Sequence, residues 1–552
     1  MKKSFFSYLI RIILCLIVLF LGYWFWLPPF NIRSVDMWNF LIFAIVSCTV
    51  INTFSQLIIW FSSRLKNGEV TVSKPKLSLK TFSAPVRLCI IAVAVIILIN
   101  IGGSIVGAQI FNAKRYKDLI TIKDGDFAED VAEIGMEQIP VVDKDTAQRL
   151  GQRKLGEMSD LVSQFEIQDI YTQINYNGVP VRVTPLIYGD FIKWFKNRTE
   201  GIPAYITVDM TTQDTTLVRL ENGIKYSPSE YFMRNLKRYL RFKYPTLIFD
   251  NISFEIDDDG TPYWVASVAT YRIGLFSGKD ICGAVLLNAQ TGESNYYDID
   301  DVPTWVDQAY DESIIMNQLV YNGKYRSGFF NSILGQSGVL QPTDGYNYLA
   351  INDDVYLYTG MTSVTSDESN VGFVLVNLRT KETKYYAIPG AEEYSAMESA
   401  QGQVQDLGYR STFPLLLNIS DRPTYFVSLK DGAGLVKMYA FVDVQQYQIV
   451  GTGIDVESAR ADYIYKLKTE NQNIEDTAAE TLSGIVGGVS SAVVDGNTNY
   501  YIILEGDDTV YTVPITLSDR LPFIKSGDTV TLKITKNSSG VSVTGFELGA
   551  GN

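Results

Sequence analysis

The carboxylates Asp257-Asp258-Asp259 and Asp298, Asp300 and Asp301 are the side chains whose type and spacing come nearest to chemistry. Clustered acids can supply a general acid and base across a scissile bond, or several of the oxygens that Ca2+ requires. Neither cluster has the spaced pattern of a calcium loop. The first stands before Gly260 at a hairpin tip and the second before Pro303 as a helix cap, so both read as turn chemistry. Histidine is absent from the 552 residues, which removes the commonest general base, the Ser-His and Cys-His pairs and most zinc sites. Of the four cysteines only Cys282 lies outside long apolar runs, and its strand-like setting before Gly283-Ala284-Val285 suits a small buried hydrophobe. Ser-x-x-Lys spacing, the signature of a lysine-served nucleophile, occurs only at Ser63 to Lys66 and Ser73 to Lys76. The expectation is a non-enzymatic protein with no catalytic, cofactor-binding or metal-binding residue. The alternative is a cell-envelope hydrolase built on a carboxylate pair.

A second constellation is cationic. Arg234, Lys237, Arg238, Arg241 and Lys243 fall within ten residues of an expected helix from Pro228 to Tyr244. Spacings of three and four project them from one face. They are either a solvated face whose charge complements the helix C-terminus, or a strip for lipid headgroups, wall polymer or an acidic partner. Ser227-Pro228-Ser229-Glu230 has the form of a capping box with proline at the first helical position, and Pro245 ends the helix.

Three apolar runs are long enough to cross a bilayer: about 8–27, 37–61 and 86–107. The first ends in Tyr23-Trp24-Phe25-Trp26 without a small-residue cleavage site, so it reads as a retained anchor with an interfacial aromatic belt rather than a signal peptide. Residues 1–107 carry ten Lys/Arg against two Asp/Glu, whereas the remainder carries 37 against 59. Six of those ten cations lie from Ser62 to Arg87, across the loop and the start of the third run, which places that loop and the N-terminus in the cytoplasm and residues 108–552 outside the cell membrane. Lys114, Arg115 and Lys117 give a contrary but smaller signal. The acidic large region excludes a nucleic-acid partner. Asn52 and Gln56 share a face of the second run, as amides bonded to a neighbouring helix or as part of a polar path in a transport complex. Gly103 and Gly107 form a small-xxx-small pair suited to a close helix crossing.

Beyond the membrane, one pattern returns four times: an apolar strand ending at Asp209, Asn288, Asn377 or Asp443, a polar turn, a second strand and a candidate helix. The markers are 79, 89 and 66 residues apart, and hairpins such as 252–268 with Asp259-Gly260 at the tip fall between them. The expected fold is a membrane protein with three N-terminal transmembrane helices, tandem α+β modules of hairpin, helix and hairpin, and a small all-β barrel. Its divisions are a 1–107 anchor, a 108–200 membrane-proximal α+β region, modules over 201–470, a 471–480 linker and a barrel over 481–552. Within 108–200, Asp143 caps an expected helix to Glu157. Residues 321–345, rich in glycine around Phe329-Phe330, read as a long loop, either for binding or as an insertion.

Tyr263-Trp264-Val265-Ala266-Ser267 followed by GAVLLNAQTGES from Gly283 resembles the PepSY-type module, which is found outside the membrane of bacteria. The match is closest over 283–293; Thr380-Lys381 replaces Thr-Gly in the third copy, and the first and fourth lack it. The resemblance implies an interaction or inhibitory role and supplies no catalytic residue. Five strands expected near 485–494, 500–504, 510–515, 529–534 and 541–546 resemble an OB- or SH3-like barrel. Four Lys/Arg against seven Asp/Glu in that tail suit a protein contact rather than single-stranded nucleic acid. The partners expected are membrane lipid and an envelope protein or wall polymer.

Overall fold

The computed structural model describes residues 2–67, 84–133, 135, 138–364, 369–470, 480–494, 497–537 and 540–549. Most of the basic stretch between the second and third apolar runs, the 471–480 linker apart from Glu480, the Asp495-Gly496 turn and the Gln56 side chain lie outside the described residues. Helices α1 (Lys2–Trp26), α2 (Val35–Asn67) and α3 (Ala84–Val106) contain stretches of 19, 20 and 23 residues apolar enough to cross a membrane. Their large side chains are outward-facing, as lipid contact requires: Phe20, Phe54, Leu88 and Leu98 are all more than half exposed. Asn52 spends its amide on the carbonyl of Cys48 one turn back, at 3.0 Å.

Helix α4 (Gln109–Lys117) and strand β1 (Ile122–Asp124) lead to α5 (Phe127–Asp130) and α6 (Lys144–Gly156). Asp143 caps α6 by accepting from the Thr146 N–H at 2.9 Å. Four antiparallel sheets follow. The first holds β2 (Phe165–Ile167), β3 (Thr172–Tyr176), β4 (Val179–Tyr188), β5 (Ile202–Asp209) and β6 (Thr215–Ile224), with α7 (Phe191–Asn197) between β4 and β5. After α8 (Leu236–Lys243) the second holds β7 (Ile248–Ile256), β8 (Pro262–Ile273), β9 (Ser277–Asn288) and β10 (Ser294–Asp298). After α9 (Glu312–Lys324) and α10 (Gly328–Ile333) the third holds β11 (Leu340–Pro342), β12 (Asn347–Ile351), β13 (Asp354–Ser363), β14 (Ser369–Asn377), β15 (Thr383–Tyr386) and β16 (Gly390–Ala391), and β1 joins it in parallel beside β15. After α11 (Glu393–Gln403) the fourth holds β17 (Arg410–Ser411), β18 (Leu415–Ile419), β19 (Arg422–Lys430), β20 (Val436–Asp443) and β21 (Val450–Gly453). Helix α12 (Val456–Glu470) packs on β20 and β21.

Each sheet runs as a four-step meander whose opening step is broken. Strands β2 and β3 pair with opposite halves of β4, as β11 and β12 do with β13 and β17 and β18 with β19. In the second sheet the break is a bulge between Phe249 and Ile252. The four markers all end the third step, and their side chains do one job. The Oδ1 atom of Asp209 accepts from the N–H groups of Thr211 and Thr212, that of Asn288 from Gln290 and Thr291, that of Asn377 from Arg379 and Thr380, and that of Asp443 from Gln445 and Gln446, all within 2.7–3.0 Å. A short side chain is required because its oxygen must reach back over its own turn.

The Thr-Gly signal is narrower than the turn it marks. Thr212, Thr291 and Thr380 each accept, at 3.2 Å, from the N–H two residues on. The left-handed position after them is Gly292 in one turn but Gln213 and Lys381 in two others. The first turn therefore carries Thr212-Gln213 at the Thr-Gly position.

Several boundaries differ from the sequence reading. The break at 200 falls inside the first sheet, because β4 and β5 pair from Val181–Asp209 to Pro185–Tyr205. Helices α8, α9 with α10, and α11 lie in the connections between consecutive sheets, so hairpin, helix and hairpin straddle two sheets. The 228–244 helix is reduced to a 3-10 turn, Phe232–Arg234, and the eight residues of α8. Its cap is Asn235, which accepts from the Arg238 N–H. Glu230 is only 2% exposed and accepts instead from Tyr188 Oη at 3.0 Å and Trp194 Nε1 at 2.7 Å. The 321–345 stretch is occupied by the end of α9, α10 and β11 rather than a long loop.

One core runs through the four sheets, with Trp264, Tyr358, Tyr425, Phe441 and Tyr463 among its enclosed rings. The C-terminal strands β22 (Glu480–Val494), β23 (Asn497–Leu504), β24 (Val510–Pro514), β25 (Thr529–Asn537) and β26 (Gly540–Leu548) enclose a separate core around Val486, Ile502, Val513 and Leu532. They pair in the circuit β22-β23-β24-β26-β25, with β25 back on β22 and a single parallel bridge, Thr512 to Ser542, between β24 and β26.

The marker turns give a direct test. Asn288→Ala leaves two N–H groups without their acceptor and lowers unfolding stability by about 1–3 kcal/mol. Asn288→Asp keeps the acceptor and stays within about 0.5 kcal/mol, as measured by chemical denaturation.

Candidate functional site

The chain meets its membrane helices through two arginines and a hairpin. Leu27, the residue after α1, is held at a φ of 53° just before Pro28-Pro29. The free Leu27 carbonyl accepts from Arg241 Nε of α8 at 3.0 Å, so a cation sits at a helix C-terminus where the dipole favours it. The same guanidinium donates through Nη1 to Leu247 O at 2.6 Å and stands over the Phe249 ring, and Arg241 is 7% exposed. Phe242 packs edge-on against Tyr23 and near Trp24, and Arg238 lies 4.2 Å over the Trp24 ring. From the turn between α1 and α2, Arg33 Nη1 donates to Thr270 Oγ1 and Tyr271 O, both at 3.1 Å, while Asn31 Nδ2 donates to Thr246 O. The Gly103/Gly107 pair makes room for the β8–β9 hairpin instead of another helix: a Cβ on Gly103 would come within 2.6 Å of the Phe276 ring, and one on Gly107 would strike Ser277.

The expected cation strip is thereby split among different tasks. Arg234, outside α8, donates to Arg198 O at 2.7 Å. Arg238 donates to Phe232 O, also at 2.7 Å, and Lys243 to Ser294 O at 3.2 Å. Lys237 is exposed. Cys282 is a free, half-buried thiol that donates to Val268 O, and burial pushes its pKa up. Asp257 closes the hairpin tip by accepting from Asp259 and Thr261 N–H groups, and Asp298 accepts from Tyr296 Oη.

The built polar site lies elsewhere, and no motif announced it. The broken opening strands converge: β3 touches β7 and β12, and β12 touches β18. Between them is a cavity of about 490 Å³ with Gln173, Arg182, Ser253, Glu312, Tyr346 and Tyr348 in its wall. Arg182 of β4 sits opposite Gln173 of β3 in the sheet register, and the two are 6% and 1% exposed. Arg182 donates to Tyr171 O at 3.3 Å and to Gln173 Oε1 at 3.1 Å, yet its Nε and Gln173 Nε2 have no partner. Burial pushes the guanidinium pKa down, opposed by Tyr348, Asp143, Tyr346 and Asp145 nearby. Its one sequence signal is a charge within the strand Val181-Arg182-Val183-Thr184, which is buried on both faces, and a charge there reads as an error unless it has work to do.

Behind this wall two acids are enclosed. Ser253 Oγ donates to Glu255 Oε1 at 2.7 Å, the Asp307 N–H donates to Glu255 Oε2 at 2.8 Å, and the Asn175 N–H donates to Asp307 Oδ2 at 2.6 Å. Burial pushes Glu255 up to about 7, and burial followed by the Glu255 charge pushes Asp307 well above the usual range. No family model matches the chain, and no curated protein matches it in sequence. Three helices able to span a membrane followed by a β-rich region of several sheets define a membrane-associated protein.

The enclosed acids carry a pH dependence of definite sign. A folded pKa raised above the unfolded value, about 4.3 for glutamate, gives stability that is complete below that value and lost as the pH climbs through about 7. Unfolding followed from pH 4 to pH 8 therefore shows a smaller loss in Glu255→Gln than in the parent; parallel profiles would refute the assignment.

Proposed function

We propose that this is an extracytoplasmic interaction and scaffold protein of the bacterial cell envelope, multi-pass in the cell membrane, which works by binding rather than by catalysis. The observation that carries the reading is the seam at the end of α1. There the buried Arg241 ties α8 to Leu27 while Arg33 and Asn31 tie the α1–α2 turn to the second sheet and to the connection before it. These bonds hold the sheets at a defined distance from the bilayer instead of leaving them on a flexible tether. That suits a module presenting surfaces to a neighbouring envelope protein or wall polymer. The seam also puts the α1–α2 turn on the same side as the large region, and the excess of Lys/Arg between the second and third apolar runs is what favours a cytoplasmic N-terminus.

In this reading the four marker-turn sheets are tandem PepSY-like modules, and the C-terminal circuit is an OB- or SH3-like barrel used for protein contact. Arg238, over the Trp24 ring at the aromatic end of α1, and the exposed Lys237 next to it in α8 are in this reading the cations that hold anionic lipid headgroups. The hydrolase alternative draws less support. Its hairpin-tip acids serve their own turns, and Glu255 and Asp307 are no more than 1% exposed.

Orientation tests the proposal. In a Cys282→Ala background, a membrane-impermeant thiol reagent labels a cysteine introduced at Asn537 in intact cells and leaves one at Asn67 unlabelled until lysis. The reverse pattern would place the sheets in the cytoplasm and end the envelope reading.

A further inference from the structure

The cavity between the opening strands has a charge layout that no part of the proposed scaffold role requires. Its deep wall is cationic. Arg182 is 94% buried by its 6% exposure, and its hydrogen bonds go to a carbonyl and an amide instead of a carboxylate. A buried guanidinium with no carboxylate hydrogen-bonded to it is expensive, and a carboxylate or phosphate oxygen is the group that its planar fork is shaped to receive. Arg182 Nε and Gln173 Nε2 are enclosed without a partner, so donors outnumber the acceptors that the protein provides at this end of the cavity.

The rest of the wall is acidic. Asp143, Asp145, Asp169 and Glu312 line the cavity, with Lys144 as the second cation. Asp143 is occupied by Lys430 at 2.5 Å and by the α6 N-terminus. Asp145 and Asp169 are exposed, and Glu312 accepts weakly from Tyr348 Oη at 3.4 Å. A simple anion would meet these carboxylates on its way in, and a simple cation would leave Arg182 unanswered. A molecule carrying both charges satisfies both walls. The Tyr346 and Tyr348 rings, 5.6 Å apart and tilted edge to face, add π surface beside Glu312 for an ammonium group. The volume is that of a small-ligand pocket.

We propose that this cavity binds a zwitterionic small molecule of amino-acid or dipeptide size, its carboxylate on Arg182 and Gln173 and its ammonium toward Glu312 and the acidic rim.

The test is calorimetric titration of the detergent-solubilised full chain, a measurement independent of membrane orientation. The probes are L-alanine and L-alanyl-L-alanine, with propionate and ethylamine as single-charge controls. At least one zwitterion binds saturably, at least tenfold tighter than either control. Arg182→Gln weakens that binding tenfold or more. Glu312→Gln, an isosteric change at the partly exposed first turn of α9, removes the preference for the zwitterion over propionate and keeps the test open if Arg182→Gln fails to fold. Three results would each overturn the proposal: no binding of either zwitterion at 20 mM, propionate binding as tightly as the zwitterion, or an unchanged preference in folded Glu312→Gln.

Discussion

A side-chain oxygen that accepts two backbone N–H groups from its own turn is the interaction on which the extramembranous fold depends. It occurs at Asp209, Asn288, Asn377 and Asp443, and each instance fixes where the third step of a meander stops and the fourth begins. Side chains alternate along a strand, so a slip of one residue would turn every inward residue outward. The register set at these ends runs back across the sheets: Asp209 opposes Val181, which opposes Ile174, and Asp443 opposes Thr424, which opposes Leu417. The opening strands thus arrive at their meeting point with defined faces, and the cavity is what lies between them.

Two buried arginines show how the same side chain serves different ends. Arg241 places Nε on Leu27 O and Nη1 on Leu247 O, with a ring beneath it, so its environment is complete without a ligand. Arg182 has a comparable burial but an enclosed Nε without a partner, and it lines an open polar volume. The first is a pin between the membrane helices and the sheets. The second is a group whose solvation by protein is unfinished, and that difference directs attention to the cavity rather than to the more conspicuous cationic stretch around α8.

The seam and the cavity are also mechanically related. The second sheet carries Thr270 and Tyr271 against Arg33, Phe276 against Gly103, and, on β7, Ser253 in the cavity wall. One sheet therefore reaches from the ends of the membrane helices nearest the sheets to the polar site, with Glu255 and Asp307 enclosed behind it. Rigid seating of that sheet gives the cavity a defined place relative to the bilayer.

Local physics was legible in the sequence alone. Long apolar runs became α1, α2 and α3; Asp143 capped α6; the four marker residues ended strands; and all five C-terminal strands formed near their expected places. Each of these depends on neighbours within a few residues. Tertiary structure decided the rest wherever a distant partner outbid the local one. Glu230 had the sequence of a capping residue, but Tyr188 and Trp194, 42 and 36 residues away, claimed its carboxylate and the helix began six residues later. Gly103 and Gly107 had the spacing of a helix crossing, but a hairpin more than 160 residues downstream filled the groove. Arg182 stands among valines with no local signal of its role, because that role depends on strands from three sheets and a connection of the fourth that only folding brings together. A sequence specifies strand ends and membrane spans by short-range hydrogen bonding and periodic hydrophobicity; which polar group is left unpaired in the interior is settled only when every long-range contact has been made.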